Sequence, residues 1–244
     1  MKTPKSPEVK YRRQLTGLAT SLKDDANRLI IPILIQLESL YTKDGYASTL
    51  EEAFDNLRKG YIGINTQAKI ASSAFVNNVD NANKTRFYKS IESAIGVDLE
   101  SIVQDEGLQD ILVATTRDNV SLIKSIPEEY FKKIENIVFS GTIQGGSAKS
   151  MIQQIQELNK STTKRARLIA RDQSSKINSA LSQQRQQNLG VEEYIWVTAD
   201  DGRVRETHKQ NNGKRFRWDD PPKKTGHPGN DIQCRCVARP IINI

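Results

Sequence analysis

Residues 226–236 read GHPGNDIQCRC and contain His227, Cys234 and Cys236. The chain has two histidines and two cysteines in all, and the other histidine, His208, lies a short distance upstream. Two imidazoles and two thiols form an N2S2 ligand set that suits tetrahedral zinc. The clustering therefore predicts a zinc site made of His208, His227, Cys234 and Cys236.

The spacing of the cysteines leaves a second interpretation open. Zinc knuckles use C-x2-C more often than the C-x-C found here. A disulfide between Cys234 and Cys236 would strain the bridge geometry, so reduced thiols are expected. In the alternative to zinc, His208 is a hydrogen-bonding residue and the two cysteines are small buried hydrophobic side chains.

The segment around this cluster, residues 191–244, has the character of a small module rich in loops. A β-type run covers residues 194–198, an Asp-Asp-Gly turn follows it, and the chain ends in the β-like VARPIINI. Apolar residues are few, so Trp196 and Trp218 are the expected anchors of its core. A structural metal contributes most to folding in such a module.

The chain before residue 191 shows helical periodicity almost throughout. We predict an elongated helical body over residues 1–138, a second helical part over 139–190, and a small basic α+β module over 191–244. The fold class is therefore mainly α. The predicted helices are residues 8–43 with a kink at Pro32, a helix capped by Ser48 and a further helical stretch to Ile95, a helix capped by Asp98, Pro127 to about Gly141, a helix capped by Ser147, and about Thr162 to Gly190.

Positive charge is concentrated in the last third of the chain. Residues 1–159 carry 19 Lys and Arg against 20 Asp and Glu, whereas residues 160–244 carry 17 against 9. This asymmetry favours a polyanionic partner, most often nucleic acid. A basic surface that serves only solubility would have the same charge composition. The longest apolar run, LIIPILIQL at 29–37, is too short to span a membrane, and we expect a cytoplasmic protein without a membrane partner.

A set of motifs in the last hundred residues resembles the phage head morphogenesis family, the minor head proteins related to protein F of phage Mu. The resemblance covers roughly residues 139–240. One departure is Asp172-Gln173, where the family often has Thr-Glu. The motifs are Ile169-Ala170-Arg171, Gly190-Val191, Tyr194, Trp196, Asp201, Arg203, Val204, Arg205, His208, Gly213-Lys214, Phe216, Cys234-Arg235-Cys236 and Pro240.

The resemblance implies a minor capsid protein of a tailed phage, present in the host cytoplasm during assembly and afterwards inside the head of the virion. It implies association with the portal protein and with capsid or scaffold proteins, and non-specific contact with packaged double-stranded DNA. Such contact would be electrostatic. The candidate phosphate contacts are Arg203, Arg205, Lys214, Arg215, Arg217 and Arg235.

Two other functions remain as alternatives. Asp200, Asp201, Arg205 and His208 are close in sequence, as in some nucleases and transferases, and this proximity is the basis for a nuclease as an alternative. The family resemblance adds a toxin-like enzyme built on the C-terminal module, because similar domains occur joined to toxin modules. The Asp-Asp-Gly turn explains the acidic pair more simply, and we expect no enzyme activity. A cellular zinc-binding nucleic-acid module is the third possibility, and the long helical body counts against it.

Overall fold

The computed structural model describes residues 5–37, 46–103 and 105–242, and it confirms the predicted fold class. Long helices make up most of the chain, and a small α+β part follows them. The helices are α1 Lys5–Leu29, α2 Ile31–Leu37, α3 Tyr46–Lys59, α4 Ile64–Ile95, α5 Gln109–Ile143, α6 Ala148–Asn188 and α7 Glu206–Asn211, and the strands are β1 Glu193–Val197, β2 Arg215–Arg217 and β3 Val237–Pro240.

The described residues fall into two compact units. The helical unit comprises Arg12–Ala71 and Asp118–Ile169. The mixed unit comprises the described parts of Met1–Tyr11, Ser72–Arg117 and Ala170–Ile244. The functional boundaries predicted at residues 138 and 190 stay predictions. In the structure α5 continues past residue 138, and α6 ends close to residue 190.

Apolar stripes at helical spacing form the core of the helical unit. Along α1 the buried stripe is Leu15, Ala19, Leu22 and Ala26, four positions that recur on one face of the helix. The buried hydroxyl of Tyr130 donates to the side-chain oxygen of Asn159 at 2.7 Å. The α5 stripe consists of Ile123, Ile126, Tyr130, Ile134 and Val138.

Two predicted helix boundaries are wrong because packing overrides local signals. Pro127 does not begin a helix but lies inside α5, where it is buried between apolar neighbours. The predicted break near Thr162 is absent, and α6 runs without interruption for 41 residues. The hydroxyl of Thr162 donates back to the carbonyl of Leu158, so this residue is accommodated within the helix.

Other local signals have mixed outcomes. The prediction that Pro32 disturbs the first helix is confirmed, since α1 ends at Leu29 and α2 begins at Ile31. Positions 38–45, which include the predicted stop at Gly45, lie outside the described residues. Ser48 is not a cap, because α3 already begins at Tyr46, and Asp98 closes a turn rather than an α-helix. Ser147 does cap α6 through the amide of Ser150.

The mixed unit contains a three-stranded antiparallel sheet in the order β2-β1-β3. The predicted stop at Gly190 is confirmed: this residue has φ of 73°, and the next amide bonds the carbonyl of Gln186. The predicted strand at 194–198 is β1, the β-like end is β3, and β2 was not predicted. One face of the sheet carries a core of Tyr194, Trp196, Trp218, Cys234, Cys236 and Ala238.

A buried arginine organises the rest of the mixed unit. The side chain of Arg185, on α6, is only 1% exposed and forms ion pairs with Asp80 and Glu106, both at 2.7 Å. Its guanidinium also donates to the side chain of Asn83, which in turn donates to Asn178. Three segments distant in sequence thereby share one charged cluster.

Candidate metal centre

Three of the four predicted metal ligands lie together. His208 is on the short helix α7, and Cys234 and Cys236 flank Arg235 immediately before β3. The imidazole Nδ1 lies 3.3 Å from the Cys236 sulfur and 3.6 Å from the Cys234 sulfur. Ligand atoms bound to one tetrahedral zinc are separated by roughly 3.5 Å, given bond lengths of about 2.0–2.3 Å. This donor set therefore has both the chemistry and the spacing to hold a soft divalent metal ion.

The outer nitrogen of His208 is held by a carboxylate. Nε2 lies 2.8 Å from Asp231 Oδ2, which accepts its proton when the ring is neutral. That tautomer leaves the lone pair of Nδ1 directed at the two sulfurs. In histidines that bind metals, the ring nitrogen that does not bind the metal commonly donates to such a carboxylate, and this hydrogen bond fixes the orientation of the ring.

The two thiols are arranged to carry one negative charge between them. The Cys236 thiol donates a hydrogen bond to Cys234, and this bond lowers the pKa of Cys234 despite its burial. The amide of Gly229 also donates to the Cys234 sulfur at 3.4 Å. The same pairing and burial raise the pKa of Cys236. Cys234 is thus the thiol that ionises first, and a bound cation would replace the shared proton.

Contacts with α6 position the loop that carries the cysteines. Gln233 has φ of 57°, a conformation that costs energy for a residue with a Cβ. Its amide donates to the buried Asp172 carboxylate of α6 at 2.6 Å. A Cβ at Gly229 would lie 2.2 Å from the Ser179 hydroxyl, so only glycine fits there. Asp172, where this chain departs from the Thr-Glu of the family pattern, therefore has a structural role that the sequence did not reveal.

The residue between the two cysteines is anchored as well. The Arg235 guanidinium forms a two-pronged ion pair with Asp201 in the turn after β1. This bond is the main cause of a lowered pKa for Asp201. The C-x-C segment is therefore held at two points. Asp172 accepts the amide of Gln233 just before the segment, and Asp201 binds Arg235 at its centre.

His227, the fourth predicted ligand, is not part of this cluster. Its Nδ1 lies 2.9 Å from the Tyr194 hydroxyl, and its ring packs 4.9 Å from that of Trp218. Burial lowers the pKa of His227, against the effect of a hydrogen bond with the Trp218 backbone. The Nδ1 atom of His227 already has a partner in the aromatic core, so His227 has the hydrogen-bonding role that the alternative interpretation gave to His208.

The six predicted phosphate contacts differ in how far acidic neighbours neutralise them. Arg203 and Arg235 pair with Asp201, and Arg205 lies 3.8 Å from Asp231. Arg217 binds Asp219 at 2.8 Å and Glu192 at 3.2 Å. Lys214 and Arg215 are exposed and form no ion pair within the part of the chain that the structure describes.

The residues of the enzyme alternative divide between two carboxylates, since Asp201 pairs with Arg203 and Arg235, whereas Arg205 and His208 both pair with Asp231. Asp200 has φ of 51° in the predicted turn. Asp201 is engaged by Arg203 and Arg235, and Arg205 donates to the carbonyl of Ile232. His208 pairs with Asp231 and the thiols. Among the described residues, the hydrogen bond between His208 and Asp231 therefore belongs to the candidate metal cluster.

Comparison with known proteins supports the resemblance. Residues 132–239 match the family described as Phage Mu protein F like protein, which confirms the predicted recognition. The matched segment begins within α5, includes α6 and the metal centre, and ends within β3. The family suggests a structural protein of phage head morphogenesis, and hence of the virion, rather than an enzyme.

One curated relative resembles the chain along its whole length. An uncharacterized protein of Haemophilus influenzae (strain KW20 Rd) is 33% identical over 249 residues, which include 100% of this chain and 55% of the relative. The chain thus spans about half the length of that protein. No solved structure matches the chain. No helix within the described ranges is both long and apolar enough to cross a membrane.

Proposed function

We propose that this chain is a minor capsid protein of a tailed phage that associates with the portal protein, and with capsid or scaffold proteins, inside the head. The observation that carries the proposal is the family match over residues 132–239. The protein would assemble in the host cytoplasm and remain in the virion. The long helices supply extended side-chain surface for binding to a large assembly.

Contact with packaged DNA is the second part of the proposal. Its support is the excess of basic residues in 160–244, 17 against 9 acidic ones, within and around the family match. DNA confined in a head is a dense polyanion, and contact with it requires no base recognition. Binding should be independent of sequence and should weaken steeply with added salt.

Portal association can be tested by co-expression with a portal protein encoded in the same phage or prophage genome. We expect the two proteins to co-purify, and we expect this chain to be detected by mass spectrometry in DNA-filled heads. The major capsid protein expressed alone is the matched control for non-specific capture. No complex with portal, together with absence from purified heads, would contradict the proposal.

We further propose that the cluster of His208, Cys234 and Cys236 is a structural zinc site that binds one ion. The support is the N1S2 donor set, the spacing of its atoms and the carboxylate behind the imidazole. A fourth ligand would complete the tetrahedron. The ion would link α7 to the chain before β3, in a module with little apolar material.

Metal analysis of the purified, tag-free protein tests this assignment. We expect about one zinc per chain, with the metal lost in Cys234→Ser and in His208→Ala. His227→Ala is the control, since it removes a buried histidine of the same module and should leave the zinc content unchanged. Absence of metal in the wild-type protein, or zinc that persists in Cys234→Ser, would overturn the assignment.

A further inference from the structure

The three-stranded sheet has two chemically different faces. Side chains alternate along a strand, so Tyr194 and Trp196 of β1 point into the aromatic core, and Ile195 between them points to the other face. The outward residues of the edge strands are Arg215 and Arg217 on β2 and Arg239 on β3, and all three are exposed. The outward face of the sheet is therefore rich in arginine.

The strand register places two of these arginines in one row. Ile195 pairs with Arg215 on one side and with Arg239 on the other. Since neighbouring strands lie about 4.8 Å apart, the backbones of the two arginines are roughly 10 Å apart. Both guanidinium groups leave the same face of a hydrogen-bonded sheet, with the half-buried Ile195 between them.

These two arginines differ from the other four arginines of the module, which are paired with carboxylates. Arg203, Arg205, Arg217 and Arg235 all have carboxylate partners. Neither Arg215 nor Arg239 has an ion-pair partner among the residues that the structure describes, and Lys214 beside Arg215 is equally exposed. A carboxylate already bound to an arginine must be displaced before a phosphate can use that arginine, and binding is weakened accordingly.

We propose that the outward face of the sheet is the DNA-binding surface, with Arg215 and Arg239 as its two principal phosphate contacts. The proposal rests on the DNA contact proposed above and specifies where it occurs. Charge complementarity determines the occupant: duplex DNA carries a negative charge every 1.7 Å or so along its axis, so it can satisfy two separated guanidinium groups at once. Of the six candidates derived from sequence, this surface retains Arg215, and it adds Arg239.

A double substitution, Arg215→Gln with Arg239→Gln, tests the surface in the full-length protein. Binding to a 30-base-pair duplex of arbitrary sequence is measured by fluorescence anisotropy at several salt concentrations. Loss of two phosphate contacts should reduce the slope of log affinity against log salt by about 1.8 and weaken binding at low salt by about tenfold. The double substitution to lysine keeps the charge and should restore most of both quantities.

The control is Arg203→Gln with Lys209→Gln, which removes the same charge from two basic residues that lie outside the sheet and already have carboxylate partners. If this control weakens binding as much as the test variant, or if the test variant binds like the wild type, the proposed surface is wrong while DNA binding itself stands. If the wild-type protein does not bind duplex at low salt, the DNA contact fails and the surface fails with it. Unchanged tryptophan emission shows that each variant is folded.

Discussion

The helical unit and the C-terminal module, residues 191–242, bury chemically different side chains. Leu22, Ile30 and Ile134 of the helical unit are fully buried in continuous apolar stripes. The module buries two tryptophans, two cysteines and two histidines instead. Burial of apolar area needs only the correct helical spacing. Burial of thiols and imidazoles needs a partner for each polar atom, so the module depends on a few specific contacts.

Metal removal would produce the largest contrast between the two regions. Structural zinc sites contribute about 10–16 kcal/mol of apparent binding free energy, and the module has little apolar burial to replace it. We expect a strong chelator to unfold the module while the helices persist. The two tryptophans of the chain both lie in the module, so a red shift in their emission with nearly unchanged far-ultraviolet circular dichroism is the expected signature. Unaltered tryptophan emission after verified loss of metal would contradict the prediction.

Arg185→Met is expected to have the next largest effect. The substitution leaves the carboxylates of Asp80 and Glu106 without their buried counter-charge, and breaking such a cluster costs about 3–5 kcal/mol. The midpoint of urea unfolding, followed by circular dichroism, measures it. Arg58→Met is the matched control, since its ion pair with Glu135 is half exposed and worth at most about 1 kcal/mol. Equal losses in the two variants would refute the distinction.

The same cluster predicts a dependence of stability on pH. Burial would raise the pKa of Glu106, but the hydrogen bonds and charge of Arg185 outweigh it and lower that pKa below its ordinary value of 4.5. A carboxyl group with a lowered pKa stabilises the folded state above its unfolded pKa, and this contribution is lost as pH falls through the folded value. Stability should therefore decrease below about pH 4.5, and Glu106→Gln should make that decrease shallower.

Leu22→Ala tests the helical unit alone. The side chain is completely buried, so its truncation removes apolar contacts and leaves a cavity, at a cost of about 2–5 kcal/mol. The loss should appear in the thermal midpoint measured by circular dichroism, while the zinc content remains at its wild-type value. Loss of zinc in this variant would show that the two regions do not depend on separate sets of contacts.

Asp231→Asn should have the smallest effect of the series. It keeps the shape of the side chain behind His208 but weakens the hydrogen bond that orients the imidazole. Substitution of such an outer partner typically reduces metal affinity by about 10–100-fold. Competition with a chromophoric chelator measures the change, and Asp219→Asn is the control, because Asp219 lies in the same module but pairs with Arg217. Equal zinc affinity in both variants would exclude the orienting role.

Sequence reasoning succeeded where one local signal determines the outcome. Gly190 ends α6 because a left-handed residue is needed there, and Ser147 begins it because its hydroxyl satisfies a free amide. The clustering of His208, Cys234 and Cys236 in sequence predicted three residues that the structure brings together, because few other soft donors exist in the chain.

Sequence reasoning failed where long-range packing decides the outcome. Pro127 is tolerated inside α5 because its apolar neighbours are buried, a fact that no local pattern contains. The strand β2 has only three residues, so the alternation of Arg215, Phe216 and Arg217 is too short to predict a strand without its pairing to β1. The choice of His208 over His227 depends on the aromatic pocket that Tyr194 and Trp218 form.

The Arg185 cluster also constrains the order of events during synthesis. Its acidic members precede the arginine by 79 residues at Glu106 and 105 residues at Asp80. At roughly 5–20 residues per second, a ribosome leaves the two carboxylates without their counter-charge for about 4–20 seconds. The Arg185 cluster therefore cannot form while the first helices of the mixed unit are being made. Those helices stay open to chaperones or to early assembly partners until α6 emerges, and the residues of the metal centre are made later still.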